Sequence, residues 1–269
     1  MRSLRSASAS RLLTAACRLT LDALMSVVLA PACAACQEAL DRPTQGPVCR
    51  RCWDAILPLT SPLCDRCGDP LPTWRALSLP LARCPRCRRA RRLVDRALEI
   101  GAYDGALRAV VHALKYEGRR SLARPLGALM RQRGGDILDG ALCAIPVPLH
   151  PSRRRRRGFN QAADLARYIE IPVVPALRRI RATPTQTGLP AARRHRNMRD
   201  AFAVTRAARS LSGAIVVLID DVSTTGATLE ACARVLKEAG VREVRALTAA
   251  RVVGRDPIIN QRSRQGPVF

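Results

Sequence analysis

From residue 95 to 253, short apolar runs alternate with segments whose apolar residues recur at helical spacing. Ala97–Tyr103 reads as a strand. Gly105–Tyr116 reads as a helix with Leu107, Val110, Val111 and Leu114 on one face. A second helix is expected over Ser121–Gln132. The apolar run Ala141–Val147, closed by Pro146 and Pro148, has the profile of a buried parallel strand. A helix over Asn160–Ile169 and a strand over Pro172–Ala176 follow. Ala214–Ile219 is the strongest buried strand in the chain, Ala227–Ala239 a helix stopped by Gly240, and Glu243–Ala249 a last strand. Such alternation implies an α/β domain with a parallel sheet covered by helices on both faces, whose ligands bind outside the carboxyl ends of the strands.

The pattern upstream is different. Leu19, Ala23, Val27 and Ala30 recur at helical spacing with Leu24 and Val28 beside them, so residues 1–32 are expected to contribute a short amphipathic helix packing on the next domain. Residues 1–20 carry Arg, Ser and Ala with no acid before Asp22, which imitates a targeting segment. Asp22 interrupts the apolar stretch, however, and no clear small-x-small cleavage pattern precedes the cysteines that follow. No run approaches the roughly 18–20 apolar residues of a membrane span. The reading is a cytoplasmic protein.

Eight of the eleven cysteines form four C-x-x-C pairs, Cys33/Cys36, Cys49/Cys52, Cys64/Cys67 and Cys84/Cys87. Each pair can aim two thiolates at one ion, and two pairs complete a closed tetrahedral Zn²⁺ site. Consecutive pairing gives two structural zinc sites, a double zinc ribbon over residues 33–90; crossed pairing is also compatible with the spacing. The intervening sequence is rich in proline and poor in helical periodicity, so bound metal supplies its folding free energy. Disulfides and an iron–sulfur cluster suit four evenly repeated pairs less well. Cys17, Cys143 and Cys232 sit in apolar patterns and are expected to be buried small hydrophobes.

Composition sharpens the picture of the partner. The 269 residues hold 46 basic and 21 acidic side chains, a formal charge of +25, and only Lys115 and Lys237 are lysines. Hydrophobic residues at 48% exclude a wholly disordered chain. The charge is clustered: residues 83–96 hold seven Arg against Asp95, and residues 151–200 hold 13 Arg against Asp164, Glu170 and Asp200. The run Arg153, Arg154, Arg155, Arg156, Arg157 exceeds what one small ligand needs. It reads as a solvated basic loop or as a phosphate-tracking path for nucleic acid, with base stacking limited to Phe159, Tyr168 or Phe202 nearby. Lys237 is expected on a solvated helix face, and His112 and His195 in packing or surface roles.

The chemistry concentrates in Ile215–Thr228, where a buried strand runs through Asp220 and Asp221 into Val222, Ser223, Thr224, Thr225, Gly226, Ala227 and Thr228. A hydroxyl-rich turn at a helix N-terminus suits a phosphate dianion. Paired carboxylates suit ribose hydroxyls and, directly or through water, Mg²⁺. Together they call for a sugar phosphate; an ordinary turn capped by Ser223 or Thr224 is the plain alternative.

This segment resembles the phosphoribosyl pyrophosphate (PRPP) loop of the type I phosphoribosyltransferases. Three further segments look like ComF-type competence proteins: Leu114–Gly118, Pro146–Pro151 with Arg153–Ala162, and Thr185–Leu189 followed by Arg193, Arg196, Asn197, Ala201 and Phe202. So does a double zinc ribbon ahead of the α/β domain. The resemblance implies that Asp220 and Asp221 hold the ribose and Ser223–Thr228 the 5′-phosphate. His150 would lie on the pyrophosphate side, and Lys115 joins the catalytic group. It further implies a mobile flap over Arg181–Arg199 and a part for single-stranded DNA, with DNA-uptake or recombination proteins as further partners. Three functions follow: PRPP and Mg²⁺ binding allied to DNA uptake, a Mg²⁺-dependent transferase acting on a nucleobase or amine, or a PRPP sensor without turnover. Residues 1–18 and the tail 254–269 lie outside the pattern.

Overall fold

A computed structural model describes residues 17–59, 61–71, 82–90, 92–181 and 200–252. Its central sheet has four strands: β1 (Arg96–Glu99), β2 (Cys143–Pro146), β5 (Ile215–Ser223) and β6 (Glu243–Arg251). They run parallel in the order β1–β6–β5–β2. β3 (Leu177–Arg179) and β4 (Phe202–Val204) pair antiparallel beside it.

β5 explains the architecture. Val216, Val217, Leu218 and Ile219 are fully buried, as a Val/Ile/Leu run in a parallel sheet should be, each contributing roughly 1.5–3 kcal/mol. Alternation divides them. Val217 and Ile219 join a core containing Val110, Leu114, Leu126 and Leu165 from the helices Gly105–Tyr116, Ala123–Arg133 and Gln161–Ala166. Val216 and Leu218 face Cys232 and Leu236 of the helix Ala227–Glu238. The strand continues past the apolar run as far as Ser223.

The helix over Gly105–Tyr116 forms as expected, started by Asp104, whose carboxylate accepts from the Gly105 N–H at 2.8 Å. Other expectations shift. The segment 172–176 adds only a bridge between Ala144 and Val173 at the sheet edge. Residues 151–157 are a helix rather than a loop, entered by Pro151 and ended by Gly158 at φ 81°. Cys143 and Cys232 are buried, but Cys17 is exposed. Lys237 is not free in solvent: its ammonium meets Asp95 at 2.7 Å and donates to the Arg242 carbonyl. Phe159 and Phe202 are buried core residues.

Residues 17–29 are helical, yet their apolar side does not pack on the next domain. Asp22 and Ser26 turn inward, Asp22 accepting from the Thr44 N–H and Ser26 donating to the Leu40 carbonyl. Leu19, Leu24, Val27 and Val28 face outward, Val27 at 85% exposure. Hydrogen bonds from two small polar side chains to the ribbon backbone settle the orientation that amphipathic spacing alone misassigns. No helix among the described residues is long and apolar enough to cross a membrane.

Candidate functional site

The eight cysteines resolve into two tetrads by consecutive pairing, Cys33/Cys36/Cys49/Cys52 and Cys64/Cys67/Cys84/Cys87, with the sulfurs of each within 4.8 Å of one another. Cys36 and Cys49 sulfurs stand 3.8 Å apart, Cys67 and Cys84 sulfurs 3.6 Å. Four sulfurs about 2.3 Å from one Zn²⁺ are separated by about 3.8 Å, so both tetrads fit the ion. Backbone N–H groups point at the sulfurs: Cys49 at Cys33, and Cys84 at Cys64, each at 3.3 Å. A hydrogen bond from Cys67, aided by the Cys84 N–H, holds the Cys64 thiol down to about 4 despite burial. Such thiolates are structural metal ligands. The first tetrad is continuous with the main core through Ile56 and Leu107, whereas the second makes its own small cluster.

The second knuckle instead meets the sheet through charge. Arg251, the last residue of β6, donates to the Cys67 carbonyl at 3.0 Å and to Glu99 at 2.6 Å, and also pairs with Asp69. Asp69 in turn holds Arg86 at 2.6 Å, whose guanidinium reaches the Thr225 carbonyl at 3.5 Å. Arg92 donates to Glu230 in the first turn of the Ala227–Glu238 helix, and the Leu93 N–H binds the same carboxylate. Thus the zinc knuckle and the Ser223–Thr228 turn share one polar network. A cavity of about 20 Å³ between them has room for about one water. Sequence reading missed Glu99, Arg251, Asp69, Arg86, Arg92 and Glu230; the available signal was a charged residue at the carboxyl end of each of two strands, Glu99 closing β1 and Arg251 closing β6.

The strand-to-turn segment has the shape its sequence suggests. The turn Thr224–Gly226 lies between β5 and the helix, with Gly226 at φ 77° in the capping position instead of Ser223 or Thr224. Among the described residues the backbone N–H groups of Thr224, Thr225 and Gly226 find no acceptor. They are half-buried and open at the helix N-terminus.

The two acids stay in contact but differ in their surroundings: Asp220 Oδ1 accepts from the Asp221 N–H at 2.9 Å, and the two carboxyls interact directly. Because β5 continues through them, successive side chains set out toward opposite faces, and their partners differ. Asp221 follows Val217 and Ile219 toward the Gly105–Tyr116 helix, where Lys115 Nζ lies 2.7 Å from its Oδ2. Burial opposes both charges, but each partner's field prevails: the Lys115 ammonium is held above its ordinary range and the Asp221 carboxyl below its own. Asp220 faces the side of Arg179 and Cys232, whose protonation it influences. Burial, reinforced by the Asp221 charge, drives the Asp220 carboxyl well above the usual carboxylate range.

His150 caps the Pro151–Arg157 helix just beyond the carboxyl end of β2, its Nδ1 accepting from the Ser152 N–H at 3.3 Å. Arg154, Arg155 and Arg156 are exposed, and none has a carboxylate partner among the described residues. Arg153 and Arg157 are half-buried. Arg157 donates to Gln161 at 2.6 Å and lies over the Tyr116 ring. The flap expected over Arg181–Arg199 and His195 falls, apart from Arg181, outside the described residues.

Comparison with known proteins agrees with both parts of this arrangement. The double zinc ribbon domain model matches residues 24–88, and the phosphoribosyl transferase domain model matches residues 155–261. Competence protein F of Haemophilus influenzae is 32% identical over 200 residues, covering 71% of this chain and 85% of its own length. DNA utilization protein YhgH of Salmonella typhi is 34% identical over 192 residues, 68% of this chain and 81% of its own. Competence protein ComFC of Bacillus subtilis is 34% identical over 102 residues, 38% of this chain and 41% of its own. With a zinc-ribbon cysteine module ahead of a phosphoribosyltransferase-type parallel sheet, and with relatives of this closeness, the chain belongs to the ComF family of competence protein F, ComFC and YhgH.

Proposed function

We propose that this protein binds PRPP with Mg²⁺ at the carboxyl edge of its sheet and couples that site to single-stranded DNA in the cytoplasm, in DNA uptake or utilization. One observation carries the reading: β5 delivers two acids directly into a turn whose three N–H groups find no acceptor among the described residues, at the N-terminus of a long helix. A 5′-phosphate seated on Ser223–Thr228 would meet those N–H groups and the positive helix end. The ribose hydroxyls then fall to the strand-end carboxylates. The names of its relatives, competence and DNA utilization proteins, support the DNA side.

The donor set also suits Mg²⁺. Asp220 has no ion-pair partner among the described residues; burial, then the Asp221 charge, raise its carboxyl, and a divalent cation would neutralise the two acids together. Bound Mg²⁺ supplies charge neutralisation for pyrophosphate. His150 and the basic helix behind it lie after the end of β2, where the second phosphate group would be held. In a transferase, the bond from the anomeric carbon to pyrophosphate breaks as a base or amine nitrogen bonds to that carbon and loses its proton to solvent. Such chemistry relies on charge stabilisation rather than a protein nucleophile. The Lys115–Asp221 ion pair favours a second reading, a PRPP sensor without turnover, because it already satisfies one of the two acids.

Calorimetric titration of PRPP and Mg²⁺ into the zinc-loaded protein tests this, with and without a single-stranded oligonucleotide and with pyrophosphate release followed in parallel. Saturable binding that Asp221→Asn weakens is expected. Absence of PRPP binding overturns the reading, and binding without pyrophosphate release across a panel of bases and amines selects the sensor.

A further inference from the structure

Tyr116 belongs to the Leu114–Gly118 segment, yet the phosphoribosyl site makes no use of it. Its neighbour Lys115 turns inward to Asp221. Tyr116, one position further round the helix, turns outward and is 66% exposed, the most exposed aromatic ring among the described residues.

The ring is held in place. One helical turn earlier, the His112 ring lies 4.8 Å away, centroid to centroid, tilted by 44°. The Arg157 guanidinium lies 5.5 Å from the Tyr116 centroid and is itself fixed by Gln161 at 2.6 Å. Arg157 ends the helix that follows the carboxyl end of β2, and Lys115 contacts the carboxyl end of β5. The clamped ring therefore stands on the same edge of the sheet as the candidate PRPP turn. Arg154, Arg155 and Arg156 continue from it with no carboxylate partners among the described residues. A flat, pre-oriented aromatic face beside uncompensated guanidinium groups recognises a base on a phosphate backbone.

The geometry points to Tyr116, clamped by Arg157 and His112, as a stacking platform for a nucleobase of a single strand whose phosphates follow Arg154–Arg156. This inference rests on the nucleic-acid part of the proposed function and gives that partner a seat. Phe159 and Phe202 are too buried to serve. A free nucleobase would offer the ring the same chemistry, but the arginines extend further than one base reaches.

The experiment uses the full zinc-loaded chain and a thymidine oligonucleotide carrying a single 2-aminopurine, whose fluorescence falls when it stacks. Quenched, salt-sensitive binding is expected for the unmodified protein. Tyr116→Ala should weaken it roughly 5- to 100-fold and abolish the quench, while Tyr116→Phe retains both. Zinc content and thermal unfolding establish that each variant is folded; the exposed position makes a folding loss unexpected. Affinity and quench unchanged in Tyr116→Ala, with the unmodified protein binding normally, overturn the platform but leave the DNA reading standing. Failure of the unmodified protein to bind any strand overturns the DNA reading itself. In a parallel arm, free 2-aminopurine riboside quenched by Tyr116 with no gain from the oligonucleotide would overturn the strand in favour of a free base.

Discussion

Lys115 and Asp221 form an ion pair almost removed from water, with Nζ 2.7 Å from Oδ2 and side chains 16% and 4% exposed. The contact joins the first helix of the sheet domain to the acid-bearing strand, so one interaction serves both the fold and the candidate site.

Removing either partner leaves the other charge buried. Lys115→Met is expected to cost about 3–5 kcal/mol, and the double variant Lys115→Met/Asp221→Asn to recover most of that loss. The pair also has a defined pH window. Asp221 is held below its ordinary value, so its contribution is present above the usual carboxylate range and is lost as pH falls through the folded pKa. Lys115 is held above its ordinary value, so its contribution lasts until pH rises through that folded pKa. Urea unfolding of the cycle at several pH values measures both; equal stability of single and double variants at neutral pH would contradict the coupling.

Asp220 carries the opposite sign. Its folded pKa lies above the unfolded one, so the native state binds the extra proton and stability falls as pH rises between the two. Asp220→Asn should therefore raise the melting temperature at neutral pH, by roughly 2–4 °C for each kcal/mol relieved. The same variant should weaken Mg²⁺-dependent PRPP binding. A neutral or destabilising effect on unfolding would show that Asp220 is not strained by its surroundings.

The strand-to-helix turn was legible because its signals are local: an apolar β-branched run, two acids and a hydroxyl-rich turn are contiguous in sequence. The cysteine tetrads were legible for the same reason, since each knuckle is a four-residue unit and only their pairing needed three dimensions. What sequence could not supply was which face each side chain takes when an element runs longer than its apolar core. Asp220 and Asp221 look like two equivalent acids until β5 is seen to continue through them, with Lys115 on Asp221 and no ion-pair partner on Asp220 among the described residues. Residues 17–29 look amphipathic toward the core until Asp22 and Ser26 claim the inner face. The Arg251 network joins residues 67, 69, 99 and 251, and no periodicity records contacts at that separation.

Gly68 tests how closely the second knuckle seats on β1. It has φ +66°, and a Cβ there would collide with Glu99 Oε2 and stand 3.1 Å from the Ala97 carbonyl oxygen. Gly68→Ala adds left-handed strain of about 1 kcal/mol to that clash and should push the knuckle off the strand. Lower thermal stability is expected with both zinc ions still bound at equilibrium. Unchanged stability would mean that the knuckle is not seated against Glu99.

Arg251 links the knuckle to the sheet most directly, and its loss should separate the two zinc sites. Its side chain is nearly buried and serves Glu99, Asp69 and the Cys67 carbonyl together. Burial raises the Glu99 carboxyl to about 7 even with Arg251 beside it. Arg251→Met would leave Glu99 without its cation, at a cost of about 3–5 kcal/mol where Glu99 is ionised. Glu99→Gln in the same chain should relieve part of that cost. The first tetrad packs in the main core independently of Arg251, whereas the second has little apolar support of its own. Chelator challenge with a colorimetric zinc indicator should therefore release one zinc equivalent several-fold faster in Arg251→Met and the other at its original rate. Acceleration of both equivalents, or of neither, would mean that the two sites are not held by separate parts of the fold.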